Sequence, residues 1–375
     1  MTKTRASWAL GSRGDSEWLS RRPGTYASAG VDREAGGEAV TRIAELARAT
    51  FGSSVATEIG GFAGAYAWEA VGPGGPYLVA STDGVGTKAQ IASAVGRYDT
   101  IGLDLVAMNV DDIVVYGARP LFFLDFVMTG AVDPGQVEDI VRGVANGCKQ
   151  VGCALLGGEV AEHPGTMGRG EFDLVGFVVG SVDRKELITG TSIRPGDRVI
   201  GLTAPGLRSD GYSFVRKIFA DRSLNEPAYP DADHSLGDEL LRPSAILTPM
   251  VLDLLRAVDV HGLAHVTGGG IAANAARILP PDCDLVLHRG SWPVPPIFVE
   301  MRRSRGITTR AMEDAFGLGI GMVVVVPPEA EEQALQILAR GAVPTPTLTI
   351  GEVTPGSGRA AFAGASQEVF WREKL

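Results

Sequence analysis

The residue pattern predicts an α/β (α+β) protein of two domains, on three observations. The 375 residues exceed what one ordinary hydrophobic core holds. Short runs rich in Val, Ile and Leu alternate irregularly with longer stretches of helical periodicity, so neither half reads as one doubly wound sheet. Near 185–195 a charged segment meets Arg194-Pro195-Gly196-Asp197, a turn cluster suited to a domain boundary. The domains are expected at 26–188 and 189–355, flanked by a polar arm at 1–25 and a tail at 356–375.

Each element has a local reason. Val40, Ile43, Ala44, Ala47 and Phe51 form a helical stripe over 34–51. Tyr77–Thr82 is a short apolar strand, and a helix is expected over 87–95. A longer helix over 99–117 is stopped by Gly117 and Pro120. Leu121–Met128 is a strongly apolar strand, and Pro134 opens a helix reaching Gln150. Strands follow at 154–156, leading into Gly157-Gly158-Glu159, and at 172–182. The second half opens on strand 198–203 and a loop, Pro205 to Tyr212. Residues 222–238 are polar and read as surface loop. Helices at 244–257, 271–279, 296–304 and 328–340 then alternate with strands at 262–266, 284–288, 319–326 and 346–352.

Composition bounds the function. The chain is 45% apolar and 21% charged, and its 50 glycines fit many tight turns and close backbone approaches. A net charge of −10 argues against nonspecific nucleic-acid or anionic-membrane binding. Cys148, Cys153 and Cys283 form neither a disulfide framework nor a zinc pattern, which points to a reducing, cytosolic setting. No run of 18 or more apolar residues is present, so no membrane span is expected.

The chemistry concentrates in a few segments. Ser81-Thr82-Asp83-Gly84-Val85-Gly86-Thr87-Lys88 sets an acid, two glycines, a hydroxyl and a lysine where a strand gives way to a helix. Bared backbone N–H groups and one ammonium suit phosphate oxygens, and an adjacent carboxylate suits the Mg²⁺ that accompanies ATP. Asp104, Asp111 and Asp112 lie on an otherwise apolar helix, where acids are costly unless solvated, paired or metal-bound. Asp104 and Asp111 share roughly one face about 10 Å apart along the axis, fit to bracket a polyphosphate. Glu159, after Gly157-Gly158, is a candidate metal or nucleotide ligand. His265, three residues before Gly268-Gly269-Gly270, reads as a polar group beside a ligand loop. Together these segments point to an ATP-dependent enzyme. No Ser-His-Asp or Cys-His set supports covalent catalysis.

The order of motifs resembles the phosphoribosylformylglycinamidine cyclo-ligase family over about residues 26–355. The resemblance rests on Tyr26-Ala-Ser-Ala-Gly30-Val31-Asp32, Gly60-Gly61-Phe62, Thr82–Lys88, Asp99–Met108, Pro120–Asp125, Gly157-Gly158-Glu159 and Ala264–Gly270. Asp112-x4-Gly-Ala-x-Pro is similar to the signature of the wider superfamily, which includes thiamine-phosphate kinase and a hydrogenase maturation protein. The resemblance implies two α/β domains and a homodimer whose N-terminal mixed sheets join into a barrel beside a C-terminal sandwich-like α/β domain.

It also implies that ATP phosphorylates a formyl amide oxygen, that an amidine nitrogen attacks that carbon, and that phosphate leaves as an imidazole ring closes. Asp83, Asp112 and Glu159 then match positions near Mg²⁺–ATP. Asp83, Asp112, His265 and Arg208 are the candidate catalytic residues. Gly84, Gly86, Thr87, Lys88, Asp104, Asp111, Gly157, Gly158 and Glu159 are assigned to ATP. Gly60, Gly61, Phe62, Ser209, Asp210, Thr267, Gly268 and Gly269 are assigned to a phosphorylated small-molecule substrate.

Several positions depart from the family pattern. Ala44 stands where a Lys is usual, and Arg208-Ser209-Asp210 where His-Ser-Asn is usual. Asp111 and Gly317 stand at Asn positions, and Val160 at a Thr position. Two other readings therefore stand beside the cyclo-ligase: a paralogue activating a different amide, and a nucleotide-binding protein without catalysis.

Overall fold

The computed structural model describes residues 25, 27–29, 32–69, 74–341 and 346–364. Tyr26, Gly30 and Val31 of the opening motif lie outside the described residues, as do most of the arm expected at 1–25 and the end of the tail. The chain is a mixed α/β protein with two sheets.

The first sheet comprises β1 (Gly64–Ala67), β2 (Tyr77–Gly84), β3 (Arg119–Thr129), β4 (Ala154–Glu162) and β5 (Phe172–Val182), in the order β1-β2-β5-β3-β4. All pairings are antiparallel except β3 with β4. Helix α1 (Arg33–Arg48) precedes it; its cap is Asp32, whose Oδ1 accepts from Ala35 N at 2.9 Å. Helices α2 (Lys88–Val95), α3 (Ile101–Val114) and α4 (Pro134–Gln150) follow. Asp133 caps α4 through Gly135 N at 2.9 Å, with Pro134 in the first turn.

Helix α3 is mostly apolar and nearly every residue on all its sides is buried, as in an inner helix. It lies against α4 closely enough to require glycine. A Cβ on Gly102 would stand 2.2 Å from Val144 N, and one on Gly143 2.5 Å from Asp99 O. Burial of α3 on all sides is what forces its three acids to find partners.

The second sheet runs β11-β8-β10-β6-β9-β7, built from β6 (Arg198–Thr203), β7 (Gly262–His265), β8 (Cys283–His288), β9 (Ile320–Val326), β10 (Thr347–Pro355) and β11 (Ala360–Ala363). Every residue of β9 is buried, which explains its unbroken apolar run. Helices α5 (Tyr212–Ile218), α6 (Leu236–Leu240), α7 (Thr248–Leu255), α8 (Gly270–Ala276), α9 (Pro296–Arg305), α10 (Thr309–Glu313) and α11 (Glu331–Leu338) complete this half.

Four expectations need correction. Gly157-Gly158-Glu159 is not a loop after a strand but the middle of β4, because β3 supplies backbone partners on to Glu162. The tail expected from 356 begins inside the second sheet, with Ala360–Ala363 parallel to β8. The polar stretch 222–238 buries Leu224, Ala228 and Leu236 and ends in α6, so its apolar minority decides its place. Strand β1, four residues long, carried too little pattern to be read from sequence. All three cysteines are free and buried, as core residues. Among the described residues no helix is long and apolar enough to cross a membrane.

Candidate active site

A cleft of about 360 Å³ opens where β2 ends, between the two domains. Its N-terminal wall is Asp83, Gly84, Gly86 and Thr87; its C-terminal wall is Ser209, Asp210, Gly211 and Ser213. Thr87 Oγ1 and Ser213 Oγ meet across it at 3.3 Å. A larger hollow of about 570 Å³, between the 183–192 connection and Leu252–His261, holds none of the predicted site residues.

Asp83 is set by the α3 side chain beneath it. Asn109 accepts from Asp83 N at 3.0 Å and donates to Asp83 O at 3.2 Å, and Asp83 Oδ1 accepts from Gly84 N at 2.7 Å. Asp112, on the same helix, accepts from Ser81 Oγ at 3.2 Å and faces His265 Nδ1 at 2.8 Å. Asp210 enters from the second domain and accepts from Gly268 N at 2.9 Å, while its Oδ2 is buried without a hydrogen-bond partner.

Burial raises all three carboxyls, and Asp112 adds to the rise of the other two. Burial, then the charge of Asp112, pushes Asp83 up to about 6. Burial pushes Asp112 up to about 7, against the pull of Ser81, Arg277 and Arg208. Burial pushes Asp210 up to about 7, with Asp83 adding to the rise and Arg208 opposing it. Hard carboxylate oxygens, one of them orphaned, fit a divalent cation such as Mg²⁺. Among the described residues no three such side chains are grouped to hold an ion by themselves. An ion here would take the rest of its shell from phosphate and water, as Mg²⁺ ordinarily does.

Glu159 does not join this group. Asp83 pairs with Gly176, Gly176 with Asp125, and Asp125 with Gly158, so this row faces α3. Glu159 belongs to the next row, with Phe126 and Val175, and points to the opposite face. Its Oε1 accepts only from its neighbour's Val160 N, at 2.9 Å. Gly158 is needed not for phosphate but for β3: a Cβ there would fall 1.8 Å from Asp125 Oδ1. Gly157 lies in the same edge strand, away from the cleft.

Lys88, Asp104 and Asp111 are also turned elsewhere. Lys88 is fully buried, and its three donors go to Asp104 Oδ2 at 2.8 Å, Arg242 O at 2.8 Å and Arg208 O at 3.0 Å. Asp104 Oδ1 accepts from Ser244 N and Oγ, at 2.8 and 2.6 Å. The expected phosphate contact by Lys88, and the bracketing of a polyphosphate by Asp104 and Asp111, give way to a Lys88–Asp104 ion pair within the first domain, hydrogen-bonded across to the second, and to an Asp111–Arg208 ion pair that joins the domains. An ammonium this deeply buried must be paired, and sequence has no means of showing the burial.

Arg208 and His265 were expected to be catalytic; both are buried behind the cleft. Arg208 Nη2 reaches Asp111 Oδ2 at 3.0 Å and His265 Nε2 at 2.9 Å. Asp111 Oδ1 further accepts from Leu247 N, Thr248 N and Thr248 Oγ1 at 2.9–3.0 Å. Burial, then the Arg208 charge, lowers His265 to about 3, so its ring is neutral. A neutral ring closed off by two partners supports Asp112 and does not act as a free base.

The glycine loops lie outside the lining of this cleft, and Gly60, Gly61 and Phe62 border a separate hollow of about 490 Å³. Gly60 has φ +102°, and Gly61 passes so near the Tyr116 hydroxyl that a Cβ would lie 2.3 Å away. Arg277, which sequence reasoning missed, donates to Gly60 O at 3.1 Å and Gly61 O at 2.6 Å and stacks 3.7 Å above the Phe62 ring. An Arg in an Ala-rich helix gives no local signal of this contact. Thr267 donates to Asn274 of the following helix α8, and Gly268 and Gly269 face Asp210 and Arg33 respectively. At Gly317 a Cβ would stand 2.3 Å from Ile320 O, so the chain here is packed for glycine.

Comparison with known proteins gives the family of both domains. Residues 63–182 match the AIR synthase related protein, N-terminal domain, and 194–363 match its C-terminal domain. The chain is 47% identical over 331 residues to a phosphoribosylformylglycinamidine cyclo-ligase of Syntrophotalea carbinolica, covering 88% of this chain and 94% of that one. It is 46% identical over 338 residues to that of Myxococcus xanthus, covering 90% and 97%. A hydrogenase maturation protein crystallised with ATP shares the fold alone, with a TM-score of 0.57 at 20% identity over 76% of this chain and 81% of that one. With both domains matched and nearly half of its residues shared over most of its length, the chain belongs to the phosphoribosylformylglycinamidine cyclo-ligase family.

Proposed function

We propose that this chain catalyses the ATP-dependent ring closure of formylglycinamidine ribonucleotide to aminoimidazole ribonucleotide, releasing ADP and phosphate. The observation that carries this reading is the meeting of Asp83 and Asp210, one from each domain, in one cleft, with the charge of Asp112 near enough to raise both. The chemical task is to turn an amide oxygen, a poor leaving group, into phosphate. What the protein must supply is orientation and control of charge.

Asp83, Asp112 and Asp210 are the residues that would hold Mg²⁺, which when bound neutralises the ATP phosphates. Gly84, Gly86 and the Thr87 hydroxyl line the cleft on the phosphate side. Ser209, Gly268 and the Gly60-Gly61-Phe62 loop, braced by Arg277, are assigned to the phosphorylated substrate. Ser81 and His265 orient Asp112 from behind.

A homodimer is part of the same reading. The face of the first sheet turned away from α3 carries Tyr66, Phe126 and Phe177, exposed by 54%, 36% and 40%. An apolar sheet face of this kind is suited to self-complementary packing. Glu159 lies on that face and so belongs with the dimer contact. A cytoplasmic place follows from a biosynthetic activity on soluble nucleotides.

Phosphate release is measured with Mg²⁺–ATP and formylglycinamidine ribonucleotide. The expected result is release that depends on that substrate. Absence of turnover with it, together with turnover on another amide-bearing ribonucleotide, would move the assignment to a different substrate.

A further inference from the structure

We propose that Arg208 is a positioning residue that fixes His265 as the Nδ1–H tautomer and so aims that proton at Asp112. The inference rests on reading the cleft as the reaction site, but its structural half is testable without substrate.

The geometry leaves one arrangement of protons. A guanidinium only donates, so His265 Nε2, 2.9 Å from Arg208 Nη2, must be the bare, accepting nitrogen. With Nε2 bare, the proton the ring carries sits on Nδ1, 2.8 Å from Asp112 Oδ1. Nη2 has two N–H bonds; one serves His265 and the other Asp111 Oδ2 at 3.0 Å. Nη1 donates to Ala245 O at 3.1 Å.

Nothing in this string is free to swing. Arg208 has φ +60°, a conformation rare for a residue with a long side chain, and its carbonyl accepts from Lys88 Nζ at 3.0 Å. Asp111 is held by the backbone N–H groups of Leu247 and Thr248 and by the Thr248 hydroxyl. The charged groups around the ring are Arg208, Asp111, Asp112, Asp83 and Arg277.

The opposite tautomer would set the Nδ1 lone pair against the lone pairs of Asp112. That carboxylate would then keep only Ser81 of its two donors and lose the contact that fixes Oδ1. A second-layer donor of this kind is a usual means of orienting a ligand carboxylate.

The test uses the full chain labelled with ¹⁵N-histidine, near neutral pH and without ligands, and reads long-range ¹H–¹⁵N correlations. The five histidines give five patterns, and that of His265 is assigned by its loss in His265→Gln. The expected result is a proton on Nδ1 and a bare Nε2. In Arg208→Met the Nε2–H form should appear, and kcat should fall about 10- to 100-fold with the KM for ATP little changed.

A wild-type His265 with its proton on Nε2, or on both nitrogens, overturns the proposal even if no variant folds. A loss of kcat in Arg208→Met with the tautomer unchanged also overturns it, leaving Arg208 merely structural. So does a shifted tautomer with unchanged kcat. Failure of the cyclo-ligase reading would show separately, as absence of turnover in the wild-type chain.

Discussion

The Arg208 guanidinium stands 3.0 Å from the Asp111 carboxylate, and both side chains are almost wholly buried. The two residues are 97 positions apart, one in each domain. Both are departures from the family pattern, Arg for His and Asp for Asn. The structure shows why they occur together: each charge would be stranded without the other.

This pairing predicts non-additive stability. Asp111→Asn alone should leave a buried cation underpaired and destabilise the chain by about 3–5 kcal/mol. The Asp111→Asn, Arg208→His pair should restore at least half of that loss. Urea unfolding of the two single variants and the double variant measures the coupling. Equal and additive losses would falsify the compensation.

Lys88 should behave as a clamp between domains. Lys88→Met strands Asp104 and should cost about 3–5 kcal/mol, read as a lowered urea midpoint. ATP affinity measured by calorimetry on the folded variant should change little. A large loss of ATP affinity with unchanged stability would return Lys88 to the phosphate-binding role first expected of it.

The carboxyl cluster makes stability depend on pH. Asp83, Asp112 and Asp210 have folded values of about 6, 7 and 7, above the unfolded value of 3.8. Between these limits the folded state binds more protons than the unfolded one, so the unfolding free energy falls as pH rises. The ligand-free protein should therefore lose stability from about pH 4 to pH 7, by ~3 kcal/mol for Asp83 alone. Thermal unfolding across that range checks the sign. Mg²⁺ should recover part of the loss above pH 7, and Asp210→Asn should shrink it.

Arg277 braces the Gly60-Gly61-Phe62 loop by two hydrogen bonds and by stacking on Phe62. Arg277→Ala should cost about 1–2 kcal/mol. It should also raise the KM for the phosphorylated substrate more than that for ATP. Steady-state kinetics with each substrate varied in turn separates the two effects.

The open sheet face predicts a dimer. Phe177→Glu, at a residue 40% exposed and clear of the cleft, should give a monomer in sedimentation velocity. A wild-type protein that sediments as a monomer at micromolar concentration would remove the basis for that prediction.

Much of this was legible along the chain. Pro134 and Asp133 mark the start of α4, and the apolar runs of β5 and β6 coincide with the observed strands, because these signals are local. Asp83 and Asp112 could be singled out because acids in apolar surroundings need a reason. Asp125 and Gly158 show the limit: only the strand register reveals that the glycine makes room for the carboxyl.

Taken alone, the sequence determined the family, the two α/β domains and the segments where acids and glycines gather. The tertiary structure decided which acids face the cleft and which are used up in holding the domains together. Asp104 and Asp112 lie on one helix and look alike in sequence, yet one pairs with Lys88 and the other with His265. The difference lies in the partner each meets across space. Burial and pairing are set by contacts that neither periodicity nor motif spacing reveals; the His265 that holds Asp112 is 153 positions away.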